Sequence, residues 1–241
     1  MQIGRVVGIP VFLHWSFLSL MVGYAAVSWW RGGVWELVLT LAICVALFGS
    51  VLLHEFGHAM AARYYGIQTA HISLYPFGGV AAMEGLPGDP TKEMVVAVAG
   101  PAVNFVLAVI FGTAVWITGW TPLGWMALLN GLMGLFNLIP AFPMDGGRVL
   151  RALFALKWGF VAGSQWAMAI GRVFALLFLF GGMAFGVWNV ALVGGFLLFA
   201  VHMERRRLER MVAHELAWKA RLSSSMKPAF VLRSVESRRT R

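Results

Sequence analysis

Two histidines and a glutamate stand close together in the sequence, in the order His54, Glu55, His58. Side chains at positions i and i+4 lie on the same face of a helix, so the two imidazoles can bind one metal ion. Zinc commonly takes such a pair of ligands, and a glutamate next to the first histidine can accept a proton from a water molecule. This spacing predicts a catalytic zinc site with Glu55 as the general base.

The chain in front of this motif is strongly apolar. Residues 37–53 contain no charged side chain, and the motif follows them directly. Ionisable side chains in an apolar span are energetically costly and persist mainly for function. In the alternative interpretation, both histidines are interfacial residues and Glu55 pairs with Arg63 at the end of the helix. The apolar setting favours the metal site.

A catalytic zinc ion usually has three protein ligands, so another ligand must come from elsewhere in the chain. Asp145 follows a long apolar stretch and stands among two prolines and two glycines. A helix that breaks at membrane depth is tolerated where it lines a polar cavity, so this aspartate could turn toward the metal. Alternatively, Asp145 caps a helix over residues 146–158 or pairs with Arg148. The spacing alone leaves these interpretations open.

Composition places these residues in a membrane protein. The chain has 241 residues, of which 60% are hydrophobic and 12% are charged. The charged fraction is about half that of a typical soluble domain, which excludes an ordinary cytosolic enzyme. At about 20 residues per span, the length allows about six transmembrane helices. Most lysines and arginines follow Met203, so the net charge of +9 predicts positive-inside topology and contact with anionic lipid rather than a nucleic acid partner.

The uncharged stretches give the order of the predicted elements. The chain is predicted to be an all-α membrane protein with about six transmembrane helices and a short membrane-associated β-hairpin between helices two and three. The helices are predicted from residues 6–30, 37–65, 94–144 (helices three and four) and 173–203 (most of helices five and six), and the hairpin strands from residues 68–75 and 80–83. Breaks are expected at Gly33, near Pro122 and near Gly186.

Two motifs together resemble a known family. The His-Glu-x-x-His sequence that starts at His54 is followed about 80 residues later by Asn-x-x-Pro-x-x-Pro-x-Asp-Gly-Gly, which starts at Asn137. In this order and in a multi-span chain, the motifs are similar to those of the site-2 protease family of intramembrane zinc metalloproteases. The resemblance covers roughly residues 5–151. It fits a compact form of the family, without the PDZ domain or nucleotide-binding modules of other members.

The resemblance implies roles for individual side chains. His54, His58 and Asp145 match the three ligands of a single zinc ion, and Glu55 matches the general base. Asn137 matches a family asparagine thought to bind the substrate carbonyl or the reaction oxyanion. Asn104 also matches a family motif, although an interhelical hydrogen bond explains it equally well.

The activity implied by the resemblance is that of a zinc metalloendopeptidase. It would perform regulated proteolysis of single-span transmembrane proteins by attack of zinc-activated water on a peptide bond. Residues 1–203 would form the integral membrane metalloprotease domain and residues 204–241 a basic cytoplasmic tail. An even number of spans, with most lysines and arginines on one side, predicts a multi-pass protein of the cell membrane with both termini in the cytoplasm.

Two other function classes fit the same residues. A transporter or channel could use both histidines and Asp145 as a metal or proton path. Glu55 separates this class from a protease, because a protease needs the carboxylate as a base and a transport path could tolerate glutamine there. A third class is a non-catalytic relative that only binds membrane partners, but the presence of all candidate ligands and of the base argues against it.

Overall fold

The computed structural model describes residues 1–75, 78–85 and 89–236, with side chains described as far as residue 223. Most of these residues are helical, as the sequence predicts. The elements in chain order are β1 (Gln2–Val6), β2 (Ile9–Leu13), α1 (Trp15–Tyr64), β3 (Thr69–Tyr75), β4 (Gly78–Met83), α2 (Pro90–Thr118), α3 (Thr121–Asn137), α4 (Asp145–Ala184) and α5 (Trp188–Glu236). The expected breaks near Pro122 and Gly186 coincide with the ends of these helices.

α1 consists of two antiparallel helices joined at Gly33. This glycine has φ +66° and ψ −148°, a conformation that side chains with a Cβ rarely adopt. Ser28 Oγ donates a hydrogen bond to Thr40 Oγ1 at 2.9 Å, and the ring centroids of Phe17 and Phe48 lie 3.5 Å apart. Residues on either side of the glycine therefore face each other. The break predicted at this position is confirmed.

α4 reverses in the same way at Gly159, which has φ +81°. The rings of Phe154 and Trp166 lie 6.5 Å apart between centroids, although twelve positions separate the two residues. Gly163 packs so tightly against Ala155 that a Cβ would come within 2.7 Å of its backbone nitrogen. The first half of α4 is thus the separate helix predicted over residues 146–158. The second half begins well before residue 173, where the next helix was predicted.

The β-strands form one four-stranded sheet in the order β1-β2-β3-β4. β3 and β4 are antiparallel and form the predicted hairpin, whereas β2 and β3 are parallel. The prediction of a helix from residue 6 is wrong, because residues 9–13 are a strand and α1 begins at Trp15. Ile9, Val11 and Leu13 are buried in alternation, which is the period of a strand. An uncharged stretch alone does not distinguish this period from a helix.

Three helices of the described part of the chain, α1, α2 and α4, are long and apolar enough to cross a membrane. Large apolar side chains point outward along the helices, among them Trp30, Trp35 and Trp116, which are 85–91% exposed. Soluble proteins rarely leave such surfaces in water, so these helices present a surface suited to lipid.

A buried ion-pair network fixes three helices to one another. Arg151 of α4 is 3% exposed and donates to Glu93 of α2 from Nε at 2.8 Å and to Glu204 of α5 from Nη1 at 2.7 Å. Its guanidinium also lies 5.2 Å from the centroid of the Phe142 ring. Phe142 belongs to the non-helical segment between α3 and α4, so the network holds the chain directly before Asp145. α5 continues through residues 203 and 204 without a break.

Candidate metal centre

His54, His58 and Asp145 converge from two elements on one buried point. α1 presents the two imidazoles one turn apart, and their Nε2 atoms are separated by 3.1 Å. Asp145 Oδ2 lies 3.2 Å from His54 Nε2 and 3.1 Å from His58 Nε2. All three residues are less than 9% exposed. The structure therefore brings together the three residues that the sequence predicts as ligands, although 87 positions separate the second from the third.

The position of Asp145 follows from the broken helix that precedes it. α3 ends at Asn137, and the next seven residues are not helical. Asp145 is the first residue of α4, whereas the cap position is taken by Met144, whose side chain makes no capping hydrogen bond. Arg148 Nη1 lies 3.8 Å from Asp145 Oδ1. The carboxylate thus faces Arg148 with one oxygen and the two histidines with the other. Asp145 can therefore be a metal ligand and an ion-pair partner of Arg148 at the same time.

The hydrogen bonds of the two imidazoles suit a metal ion. His58 Nδ1 donates to the backbone oxygen of Val96 at 2.7 Å, and His54 Nδ1 donates to Asn104 Oδ1. Each Nε2 atom is then left without a hydrogen and with its lone pair facing the centre. Together with the Asp145 carboxylate, the centre has three acceptors, which is a donor set for zinc. Atoms that bind zinc tetrahedrally lie roughly 3.3 Å apart, so the observed separations fit the ion.

A close approach of α2 to α1 encloses this centre. Gly100 lies so near the imidazoles of His54 and His58 that a Cβ there would overlap both rings. On the facing side, a Cβ at Gly57 would come within 2.7 Å of the backbone oxygen of Ala99. The two glycines thus let the helices pack at a distance that larger residues would prevent. This contact brings the backbone oxygen of Val96 within reach of His58.

Glu55 lies beside the centre and under the sheet. Its side chain is buried, with the residue 8% exposed, and Oε2 accepts a hydrogen bond from the backbone N–H of Ala81 at 3.1 Å. Gly79 packs against the same carboxylate, and a Cβ there would come within 2.9 Å of Glu55 Oε1. β4 therefore covers the carboxylate that the sequence predicts as the general base.

A cavity of about 1090 Å³ opens beside the centre. Its wall includes His54, Glu55 and Asn137, and it extends between the two halves of α1 to Arg31 near the turn. Asn137 donates from Nδ2 to the backbone oxygen of Met133 at 3.1 Å. The structure thus puts the predicted carbonyl-binding residue in the same cavity as Glu55, but no hydrogen bond joins it to the three ligands within the described residues.

Comparisons with known proteins agree with this geometry. The sequence profile of peptidase family M50 matches residues 42–120 and 112–180. The chain is 36% identical over 210 residues to a zinc metalloprotease of Methanocaldococcus jannaschii, a match that covers 85% of this chain and 60% of that protein. It is 35% identical over 238 residues to a putative zinc metalloprotease of Mycobacterium tuberculosis, with 86% and 58% covered.

A solved structure extends the comparison to the fold. The site-2 protease from Methanocaldococcus jannaschii matches with a TM-score of 0.63 and 35% identity, over 85% of this chain and 94% of that chain. The fold, the apolar helices and the buried centre define a multi-pass membrane protein with a candidate metal site formed by His54, His58 and Asp145. The chain belongs to peptidase family M50, the site-2 protease family, so the resemblance drawn from the sequence is confirmed. It spans 58–60% of the length of the two curated relatives.

Proposed function

We propose that this chain is an intramembrane zinc endopeptidase with one zinc ion per chain, held by His54, His58 and Asp145. The observation that supports the proposal best is the convergence of three buried donor atoms beside the buried carboxylate of Glu55. Ionisable groups rarely gather in apolar helices without a function. The names of the two curated relatives, one a zinc metalloprotease and the other a putative zinc metalloprotease, support the choice of metal.

Glu55 is the proposed proton carrier of the reaction. A zinc ion at this site would act as a Lewis acid that lowers the pKa of water, so that water could lose a proton and attack a peptide carbonyl near neutral pH. Glu55 accepts the proton of the attacking water on its carboxylate and passes it to the leaving amine. Asn137 lines the same cavity, and its side-chain amide is the proposed donor to the substrate carbonyl or to the oxyanion.

The proposed substrate is the transmembrane segment of a single-span protein. A peptide bond within a helix has its carbonyl engaged in the helical hydrogen bonds, so the segment must unwind before cleavage. An unwound segment in lipid needs new hydrogen-bond partners. β4 is an edge strand of the sheet, and the N–H of Ala81 points away from β3 toward Glu55. A substrate strand that pairs with β4 would satisfy its backbone and lie next to the metal centre.

The proposed topology has six spans and cytoplasmic termini in the cell membrane. The turns at Gly33 and Gly159 support this number, because they divide α1 and α4. The spans are the two halves of α1, then α2, α3, the second half of α4 and the first part of α5. Residues 1–203 are the proposed integral membrane domain, and residues 204–241 are the proposed basic cytoplasmic tail.

The experiment that tests the function compares the parent chain with Glu55→Gln. Each is co-expressed with a panel of tagged single-span proteins, and zinc is quantified in each purified protein. A matched control is Glu209→Gln, because Glu209 is an exposed glutamate on α5, 60% exposed at its side chain. We expect cleavage by the parent and the control, none by Glu55→Gln, and equal zinc content in all three.

Two results would contradict the proposal. Equal cleavage by Glu55→Gln and the parent would exclude Glu55 as the proton carrier. A parent that binds zinc and carries metal ions or protons across vesicles, with no loss in Glu55→Gln, would identify a transport path through the same ligands instead.

A further inference from the structure

Asn130 of α3 is a fully buried polar residue, and in the described part of the chain its side chain makes no hydrogen bond to the three proposed ligands. Both Asn130 and Asn104 of α2 are 0% exposed. Asn104 lies between Asn130 and His54 and hydrogen-bonds to each of them. A buried amide needs partners for its oxygen and its nitrogen, and the two ends are not interchangeable. The orientation of each of these two amides is therefore set by its neighbours, and it decides which atom faces His54.

The direction of the Asn130 amide is fixed by two acceptors. Its Nδ2 donates to the backbone oxygen of Met126 at 2.9 Å and to Ser50 Oγ at 3.1 Å. Ser50 uses its own hydrogen to donate to the backbone oxygen of Ala46 at 3.1 Å, so its oxygen acts as the acceptor for Asn130. With both hydrogens of Nδ2 engaged, the oxygen of Asn130 is the end that faces Asn104.

The direction of the Asn104 amide follows from that oxygen. Asn104 Nδ2 donates to Asn130 Oδ1 at 3.1 Å and to Met133 Sδ at 3.2 Å. The oxygen of Asn104 is therefore the end that faces His54 Nδ1. If the amide were reversed, Nδ2 would donate to His54 Nδ1, and the imidazole would carry its hydrogen on Nε2. In that tautomer Nε2, the atom that faces the centre, has no lone pair to offer to a metal ion.

From this chain of hydrogen bonds we infer that Asn130 is a positioning residue of the metal centre. It orients the Asn104 amide, which in turn holds His54 in the tautomer that presents a free Nε2 lone pair. The inference rests on the proposed zinc site and extends it to a side chain on a helix that supplies no ligand. Mutation of a residue that orients a metal-bound histidine typically lowers metal affinity or activity 10- to 100-fold. Because Asn130 acts through Asn104, we expect about a tenfold effect, at the lower end of that range.

The test measures the dissociation constant for Zn²⁺ of the purified full chain in detergent, by competition with a chromophoric chelator. Asn130→Leu removes the acceptor that orients Asn104, and we expect its affinity to fall about tenfold. Asn130→Asp retains an acceptor for Asn104 Nδ2, so its affinity should fall less. Ser164→Ala is the matched control, because Ser164 is 1% exposed and, among the described residues, its hydroxyl hydrogen-bonds only to the backbone oxygen of Phe160. It should lower thermal stability without changing the dissociation constant.

A milder variant keeps the inference testable if Asn130→Leu does not fold. Ser50→Ala removes one of the two acceptors that orient Asn130 and should weaken zinc binding less than Asn130→Leu. Folded Asn130→Leu or Ser50→Ala with the parental dissociation constant would overturn the inference and leave the proposed function intact. Equal weakening in Ser164→Ala would also overturn it, since the effect would then follow stability. A parent chain that binds zinc no better than His58→Ala would instead overturn the proposed metal site itself.

Discussion

The buried carboxylate of Glu55 accepts a hydrogen bond from the backbone N–H of Ala81, so the edge strand β4 is tied directly to the proposed general base. The N–H of Ala81 is thereby directed away from β3, although Ala81 is opposite Ile72 in the register of the hairpin. Neighbouring residues of a strand alternate between inward and outward hydrogen bonds. The N–H groups of Val80 and Ala82 consequently face β3.

This geometry gives a proline test of the edge strand. Proline at position 81 removes the N–H that binds Glu55 and leaves the pairing of β4 with β3 in place, because outward positions of edge strands tolerate proline. A hydrogen bond to a charged group contributes about 1.5–3 kcal/mol, so Ala81→Pro should reduce the cleavage rate about 10- to 100-fold with unchanged zinc content. The measurement is cleavage of a tagged substrate beside zinc analysis. Cleavage at the parental rate would show that the hydrogen bond between Ala81 and Glu55 is not needed for catalysis.

The control for this variant lies one residue further along the strand. Ala82→Pro removes an N–H that faces β3 and should disrupt the hairpin, which would appear as a loss of thermal stability. A difference in stability between the two proline variants is therefore expected. If Ala81→Pro were as unstable as Ala82→Pro, its loss of cleavage would reflect unfolding of the sheet.

Gly100→Ala is expected to lose most of its bound zinc without unfolding α2. A Cβ at this position would overlap the imidazoles of His54 and His58, so one or both must move away from the centre. Alanine is a better helix former than glycine by about 1 kcal/mol, so the helix itself gains from the change. Gly112→Ala in the same helix is the matched control, because its Cβ would meet only Ala127 at 4.0 Å.

Zinc content and thermal unfolding of both glycine variants provide the measurement. We expect Gly112→Ala to retain the parental zinc content, whereas Gly100→Ala should lose most of its zinc and keep its helical circular dichroism. Full zinc content in Gly100→Ala would mean that the close contact of α2 with the two histidines does not define the centre.

The residues of the proposed metal site could be singled out from the sequence because their chemistry is visible in short motifs. His54, Glu55 and His58 lie within five positions, and the prolines and glycines that flank Asp145 in the sequence mark a broken helix. Asn130 was not predicted as part of the site, although a lone asparagine in an apolar helix is a signal of an interhelical contact. Its side-chain partners, Asn104 on α2 and Ser50 on α1, are 26 and 80 positions away, and only the packed helices bring them together.

The first helix boundary could not be predicted from charge alone. Residues 6–30 are uncharged throughout, and an apolar stretch of this kind can be a span or a buried strand. In the structure this stretch contains both kinds of element: β2 ends at Leu13, and α1 begins at Trp15. The turn at Val7 and Gly8, where both residues have positive φ, separates β1 from β2. Pairing of β2 with β3 decides the outcome, and this pairing depends on residues about 60 positions away.

Removing the charge of Arg151 is expected to destabilise the fold strongly. Arg151→Met leaves the carboxylates of Glu93 and Glu204 without their buried partner, and breaking a buried ion pair in this way typically costs about 3–5 kcal/mol. Arg205→Met is the control, because its pair with Glu209 is more than half exposed and contributes less than about 1 kcal/mol. The free energy of unfolding in detergent is the quantity to compare. Glu93→Gln added to Arg151→Met should restore part of the loss, and equal stability of the two arginine variants would contradict the buried network.

The antiparallel arrangement within α1 can be tested by a disulfide. Ser28 and Thr40 are joined by a hydrogen bond of 2.9 Å across the turn at Gly33, so cysteines at these two positions should be close enough to form a disulfide on mild oxidation. The native Cys44 is first replaced by alanine. A second pair, Ser19→Cys with Thr40→Cys, serves as the control, because nine helical positions displace it by about 13 Å along the axis. Maleimide–polyethylene glycol labelling under denaturing conditions counts the free thiols. We expect the first pair to lose both thiols on oxidation and the control pair to keep both. Two free thiols in each pair would mean that α1 does not fold back at Gly33. The proposed six spans would then lose their first helical hairpin.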